Sequence, residues 1–466
     1  MTRPEYDRDV RPSGLHRFLR RFVEIEPEEL APVLIGVAYY FFLLSGYYIL
    51  RPIREAFGIS WGTGNLPELF YGTVAVMLLI NPLYSRLVAW LPRSKVIPLV
   101  HHSLVVCLLA FYAGLTLKDD PASQKVLQYA FYIFISVFNL FIVSIFWSLM
   151  SDLFDKKQAK RLYGSLAVGG SLGGLTGSYI TSAFVEQIGR PNLILIACFL
   201  LEAAVLCALL FNRRFAQPKA AVAQSLPSET ATAGDAKKLT GRADEALGGS
   251  AWAGLAAVFR SPYLFGIGLY VLLYGLSGTF AYFFQAGVVE AASLNGDTRT
   301  RIFASIDMWT NIVTLALQAF VFARLLRWLG PAVLLCLLPV YSAIGFYLLS
   351  SGAIAEGSLL LAFSIFQVLR RAIGYGLKKP TQEVLFTAVS PEEKYKAKNL
   401  IDLTFARTGD MAGAKASDMI EQAKLGLLAL ASLAAPVSLV WGVVGLGLGI
   451  AYKRRSDAED REAQKA

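Results

Sequence analysis

The chain is dominated by long apolar segments separated by short polar ones. A helix needs about 20 consecutive apolar residues to cross the hydrocarbon core of a bilayer. Of the 466 residues, 55% are hydrophobic and only 17% are charged, which is less charge than soluble domains carry. This pattern predicts an all-α integral membrane protein with about 12 transmembrane helices. The predicted spans are 31–50, 67–90, 96–117, 126–150, 163–185, 192–211, 262–288, 303–326, 331–350, 357–377, 399–420 and 426–451.

The basic residues orient these spans. Placing the N-terminus inside puts 34 of the 44 Lys and Arg residues in cytoplasmic segments, 8 in external segments and 2 within the eleventh span. This bias follows the positive-inside rule. No cleavable signal peptide is visible at the start of the chain. We therefore expect a multi-pass protein of the bacterial inner membrane with both termini cytoplasmic, surrounded by lipid and without a nucleic-acid partner.

The spans group into two halves separated by a polar stretch. Residues 1–30 are predicted to form a cytoplasmic N-terminal segment, and 452–466 a cytoplasmic tail. Two six-helix bundles are predicted at 31–211 and 262–451. The stretch 212–261 is rich in Ala, Ser, Thr, Gly and Lys, which predicts a flexible cytoplasmic linker that ends in a short amphipathic helix.

Short matches recur in the same order in both halves. The pattern R-L-x-x-W-L occurs at 86–91 and again at 324–329. The triplet Leu-Ser-Gly occurs at 44–46 and at 276–278. These repeats favour duplication of a six-helix unit. That is a major-facilitator-like architecture, in which substrate binds near the bilayer midplane between the halves.

The eleventh span carries four charged residues, Arg407, Asp410, Lys415 and Asp418. On a helix they fall within an arc of about 140°. Charged side chains are costly in hydrocarbon, so this face must meet protein or water. Two interpretations remain open at this point: a buried ion-pair network, or the wall of a cavity.

The end of the first span carries a second group of polar residues. Tyr40, Tyr47, Arg51 and Arg54 follow one stripe of the helix, and Glu55 is adjacent. An Arg fork suits phosphate or carboxylate, and a Tyr ring offers a face for stacking. An interfacial aromatic belt with snorkelling arginines is the alternative interpretation.

Other polar residues lie inside predicted spans. Glu202, in the sixth, either pairs with Arg51 or Arg54 or carries a proton. The glycines between Gly169 and Gly177 predict close helix packing. Six amides and acids are interpreted mostly as interhelical hydrogen bonds: Asn139, Gln285, Asp307, Asn311, Gln318 and Gln367.

Three stretches resemble the ATP:ADP antiporter family, the nucleotide exchangers of plastids and intracellular bacteria. They are YYILRPIREAFGI (Tyr47–Ile59), AKRLYGSLAVGGSLGGLTG (Ala159–Gly177) and PTQEVLFTAVSPEEKYKAKNLIDLTFARTGDMAGA (Pro380–Ala414). The resemblance implies twelve helices and exchange of nucleotides or related phosphorylated anions.

The resemblance also implies roles for individual residues. Arg54 and Glu55 match the basic–acidic pair of the family's first helix, and Arg407 matches the arginine of its eleventh helix. The chain departs from the family at Asp410, which stands where the family pattern R-x-G-K-S-G has a lysine. This departure reverses the local charge.

We therefore predict a secondary active transporter of an organic anion, such as a nucleotide or another phosphorylated metabolite, working as a monomer by alternating access. Arg51, Arg54 and Arg407 would clamp the anion, and Tyr40 or Tyr47 would contact its ring. Glu202, Glu55 or Asp410 would pair the arginines or carry a coupling proton. No cofactor, metal or enzymatic activity is expected.

Two alternatives remain open. One is a proton-coupled major-facilitator exporter of an amphipathic or cationic compound, which would use Glu202 and Asp410. The other is a non-transporting membrane scaffold that binds a soluble protein through its linker.

Overall fold

The long apolar segments form long helices. The computed structural model describes residues 25–90, 93–154, 156–215, 258–292, 294–389, 397–398 and 400–463. The first four helices are α1 (Leu30–Gly58), α2 (Leu66–Trp90), α3 (Arg93–Leu117) and α4 (Pro121–Leu153).

Two longer helical stretches each break at a glycine with positive φ. Gly189 (φ 79°) divides the stretch Lys156–Phe215, and Gly330 (φ 71°) divides the stretch 296–350. Glycine tolerates this backbone conformation because it has no Cβ. A proline follows shortly after each break and suits the first turn of a new helix. The resulting helices are α5 (156–188), α6 (190–215), α8 (296–329) and α9 (331–350), with α7 (Pro262–Ala291) between the two pairs.

Three helices complete the described chain: α10 (356–388), α11 (401–422) and α12 (Gly426–Ala463). The predicted tenth span, 357–377, ended too early. Lys378 and Lys379 lower the hydropathy there, but α10 continues through a π turn at Gly374–Lys378. Lys378 is buried, with its ammonium 3.7 Å from the centre of the Tyr274 ring. Arg370 and Arg371 therefore lie near the middle of α10.

By length and composition, nine helical stretches among the described residues could cross a membrane. Two of the nine, 161–211 and 296–350, contain the glycine breaks and so each hold two helices. The charged helix α11 is not among the nine. The count of twelve crossings stays a prediction. The linker residues 216–257 and the N-terminal residues 1–24 lie outside the described part.

The helices bury three hydrophobic clusters. One lies within the N-terminal bundle, α1–α6, and another within the C-terminal bundle, α7–α12. The third joins the bundles: Ile59 and Leu69 from the first pack with Phe280, Phe284 and other residues of the second. This mixed cluster closes the end of the molecule at which α1 and α7 finish, which we call the closed end.

Glycine stripes bring two helix pairs into close contact. Gly169, Gly173 and Gly177 of α5 lie at four-residue spacing against the α1 backbone at Val37, Phe41 and Ser45. In the C-terminal bundle, Gly409 and Gly413 of α11 lie in the same way against Leu272 and Leu276 of α7. Small residues let helix backbones approach closely inside membranes. The same contact recurs in both bundles, as expected for a duplicated unit.

Gly173→Ala should therefore destabilise the protein, because the added Cβ would overlap the carbonyl oxygen of Phe41. Overpacking of this kind costs roughly 1–3 kcal/mol, which should lower the Tm of the detergent-purified protein. Gly164→Ala is the matched control, because no heavy atom lies within 4 Å of a Cβ built there. Its Tm should stay the same or rise, since Ala favours helix over Gly by about 1 kcal/mol. Equal shifts for the two variants would contradict the packing role.

Candidate functional site

A cavity of about 540 Å³, the main cavity, lies between the two bundles. Its walls come from α1, α2 and α4 of the first bundle and from α7, α10 and α11 of the second. Its polar lining is made of Tyr47, Tyr48, Arg51, Arg54, Glu55, Tyr71, Thr73, Tyr132, Ser136, Asn139, Tyr274, Thr279, Tyr282, Tyr375, Arg407 and Asp410.

Arg54 is held by several partners at once. Its guanidinium pairs with the neighbouring Glu55, donates to the Ser136 hydroxyl at 3.1 Å and lies 4.9 Å from the centre of the Tyr132 ring. The Tyr132 hydroxyl in turn hydrogen-bonds Tyr282 of the other bundle at 2.9 Å. These contacts orient the Arg54 fork at the cavity wall and connect it to both bundles.

A smaller space of about 170 Å³, the side cavity, shares Arg51 and Glu55 with the main cavity. It adds Asp307 from α8 and the adjacent Arg370 and Arg371 from α10. The sequence had suggested only a hydrogen bond for Asp307 and had missed the two arginines. The signal was present, because two consecutive arginines inside a predicted span meet the same criterion that singled out α11.

Asp307 joins arginines from the two bundles. Its Oδ1 accepts from Arg51 Nη1 at 3.0 Å and from Arg371 Nη1 at 2.6 Å. The carboxylate is 4% exposed, so it is almost fully removed from water. Arg370, also buried, donates to the Ser277 hydroxyl at 3.1 Å, and its Nε has no partner among the described residues.

The charged face of α11 divides into two parts. Arg407 and Asp410 line the main cavity, with Nη1 and Oδ2 3.3 Å apart. Lys415 and Asp418 pair at 2.9 Å further along the helix and line neither cavity. The cavity-wall interpretation fits Arg407 and Asp410, whereas the Lys415–Asp418 pair is exposed, with Lys415 60% exposed, and so is not a buried ion-pair network.

Two of the candidate residues lie elsewhere. Tyr40 stacks on Phe146 of α4, with ring centres 4.0 Å apart, and lines neither cavity. The Glu202 carboxylate forms a hydrogen bond with the His102 ring of α3, with Oε1 and Nδ1 2.9 Å apart. Its predicted pairing with Arg51 or Arg54 is wrong, because this part of α6 faces α3 and not the space between the bundles.

The six other candidates, Tyr47, Arg51, Arg54, Glu55, Arg407 and Asp410, line the main cavity together. Across both cavities, five arginines face three carboxylates, which leaves a formal charge of +2. No group of three or more His, Cys, Asp or Glu side chains is placed to hold a metal ion in the described residues. The arrangement suits recognition of an anion by guanidinium forks beside aromatic rings.

Solved structures of similar fold are membrane transporters. A bacterial homologue of the iron transporter ferroportin matches with a TM-score of 0.62 and 13% identity over 90% of this chain and 99% of that one. The POT family transporter PepTSo matches with a TM-score of 0.61 and 13% identity, over 91% and 98%. The nucleoside transporter NupG matches with a TM-score of 0.54 and 14% identity, over 91% and 98%. The predicted all-α, major-facilitator-like membrane fold is confirmed.

Sequence comparison gives relatives among the chlamydiae. ADP,ATP carrier protein 1 of Chlamydia muridarum is 22% identical over 379 residues, covering 72% of this chain and 67% of the carrier. That of Chlamydia pneumoniae is 26% identical over 170 residues, covering 33% of each chain, so this match spans only a third of that relative. The family described as TLC ATP/ADP transporter matches residues 123–448, which is well over half of the chain. This protein, a multi-pass membrane transporter, belongs to the TLC ATP/ADP transporter family.

Proposed function

We propose that the protein exchanges a nucleotide, or a closely related phosphorylated anion, across the bacterial inner membrane by alternating access of the main cavity. The observation that carries this proposal is the excess of arginine over carboxylate around a space lined by seven tyrosines. Phosphoryl groups match the arginine forks, and a base can stack on tyrosine rings. The names of the chlamydial relatives agree with such a substrate.

Different residues would contact different parts of the substrate. Arg51 and Arg54 on α1 would hold the phosphoryl end, and Tyr47 would contact the ring. Glu55 pairs with both arginines, with Arg51 Nε 4.0 Å from its Oε1. Arg407 would approach the substrate from the other bundle. A net positive lining opposes the alternative of a cationic substrate.

The cavity would open toward the cytoplasm. Hydrogen bonds and ion pairs between described residues of the two bundles lie from the cavities to the closed end. Arg190 and Asp297 pair at 2.9 Å, Arg301 and Glu186 at 2.8 Å, and the Thr63 amide donates to Glu290 at 3.1 Å. If the N-terminus is cytoplasmic, as the basic residues predict, the closed end is external.

Phosphorylated nucleotides should stabilise the purified protein, whereas the uncharged nucleosides should not. A ligand at about 100 times its Kd raises the stability of the folded state by about 2.7 kcal/mol. The measurement is a thermal-shift series comparing ATP, ADP and AMP with adenosine at matched ionic strength. Equal shifts for adenosine and ADP would contradict recognition through the arginines.

Arg54→Gln should weaken ADP binding by about tenfold or more, because hydrogen bonds to charged groups contribute about 1.5–3 kcal/mol. Arg324→Gln is the matched control. Arg324 also lies on a long apolar helix, but it donates to the Phe320 carbonyl of its own helix and lines neither cavity. The Kd and the rate of ADP exchange into loaded proteoliposomes should change only in the first variant. Wild-type values for Arg54→Gln would remove the role assigned to it.

A further inference from the structure

We infer that Asp307 is an internal stand-in for the substrate's anion: it holds the bundles together in the empty transporter and is displaced from Arg51 and Arg371 when the anion binds. The inference rests on the proposed function, since it assumes that an anion enters the cavities. It gives a role to a residue outside the three stretches that resemble the family.

The first support is the position of Asp307 between the bundles. It belongs to α8, and its Oδ1 takes one N–H from Arg51 on α1 and one from Arg371 on α10. Arginine binds carboxylate and phosphate through the same charge-assisted hydrogen bonds, so a phosphoryl oxygen can take the place of this carboxylate oxygen. The Arg51–Asp307 pair crosses the bundle interface at the cavity itself, whereas the Arg190–Asp297 pair crosses it at the closed end.

The second support is the side cavity beside this carboxylate. Arg51, Arg370 and Arg371 all line its 170 Å³, and Arg370 has a buried Nε without a partner among the described residues. The space is therefore built to attract an anion larger than the present carboxylate. Asp307 takes the N–H groups that Arg51 and Arg371 direct toward each other, so an anion that binds between these two arginines competes with it.

This competition has a consequence for transport. A ligand shifts a two-state equilibrium only through its different affinity for the two states. The empty protein keeps the Arg51–Asp307 contact across the bundles, and the loaded protein loses it. Binding would therefore release the closed end. Without a bound anion, the protein would change slowly between its two states. Exchange of one anion for another would then exceed net flow in one direction.

Asp307→Asn keeps the shape of the side chain and removes its charge. The Kd for ADP should fall by about tenfold, which corresponds to about 1.4 kcal/mol, because the anion no longer competes with a carboxylate. Net ADP efflux from proteoliposomes without external nucleotide should rise relative to exchange. Asp307→Glu should restore values close to those of the wild type.

Asp297→Asn is the matched control, because it also removes an ion pair between the bundles, at 2.9 Å, but lines neither cavity. It should loosen the closed end but lower the Kd for ADP much less than Asp307→Asn does, because it removes no competitor for the arginines. An unchanged or higher Kd in Asp307→Asn would overturn the inference. Asp307 would then only hold the two bundles together. If the wild type binds no nucleotide at all, the proposed function fails instead.

If Asp307→Asn does not fold, a distance measurement on protein that keeps Asp307 tests the inference. Spin labels at Asp119→Cys and Ala353→Cys, in a background without the four native cysteines, would report the separation of the bundles at the closed end. ADP should shift the distance distribution to longer values. A distribution that does not move at saturating ADP would overturn the displacement.

Discussion

The cavity depends on one constraint, which is that an arginine at bilayer depth needs a partner that keeps its charge tolerable. Glu55 forms ion pairs with Arg51 and Arg54, and Asp307 forms ion pairs with Arg51 and Arg371. Each of these carboxylates is shared, so the network neutralises most of the charge and leaves a small positive excess. Arg51 takes its second carboxylate from the other bundle, because Asp307 belongs to α8. The same interactions that make the cavity attractive to an anion therefore also decide how the bundles meet.

The two bundles are held together in a different way from the helices inside each bundle. Within each bundle, glycines such as Gly173 and Gly409 lie directly against the backbone of a neighbouring helix. Such contacts have no adjustable side chain between the helices, so each bundle is expected to move as a unit. Between the bundles, the contacts are side-chain pairs such as Arg190–Asp297 and a hydrophobic cluster at the closed end. Exchanging these side-chain contacts requires no rearrangement inside either bundle, which is the condition for rocking about a central site.

The sequence was sufficient for the fold class, the transporter class and the family, because apolar length and the quoted motifs are local features. It also placed Arg54 and Arg407 among the candidates, since a charge in an apolar span is visible without coordinates. Tyr40 shares the helix stripe of Tyr47, but periodicity cannot show that Phe146 fills the space beside it. Glu202 failed for a related reason: its face of α6 turns toward His102. Lys378 is buried in a π turn, so the hydropathy falls before α10 ends and the predicted tenth span is too short. The short span places Arg370 and Arg371 closer to a helix end than they are.

At Asp410, where the chain departs from the family pattern, the structure shows an ion pair with Arg407 at the cavity wall. The family's motif has a lysine at this position, whereas here the carboxylate lies 3.3 Å from Arg407 and offsets its charge. The α11 wall of the main cavity is therefore close to neutral. The positive excess lies instead on α1 and α10, where Arg51, Arg54, Arg370 and Arg371 face the carboxylates of Glu55 and Asp307. In the proposed function the phosphoryl end would therefore meet the arginines of α1 and α10, and the tyrosines of the main cavity would contact the ring. Asp410 would thus reduce the contribution of α11 to the proposed anion site and leave the arginines of α1 and α10 in place.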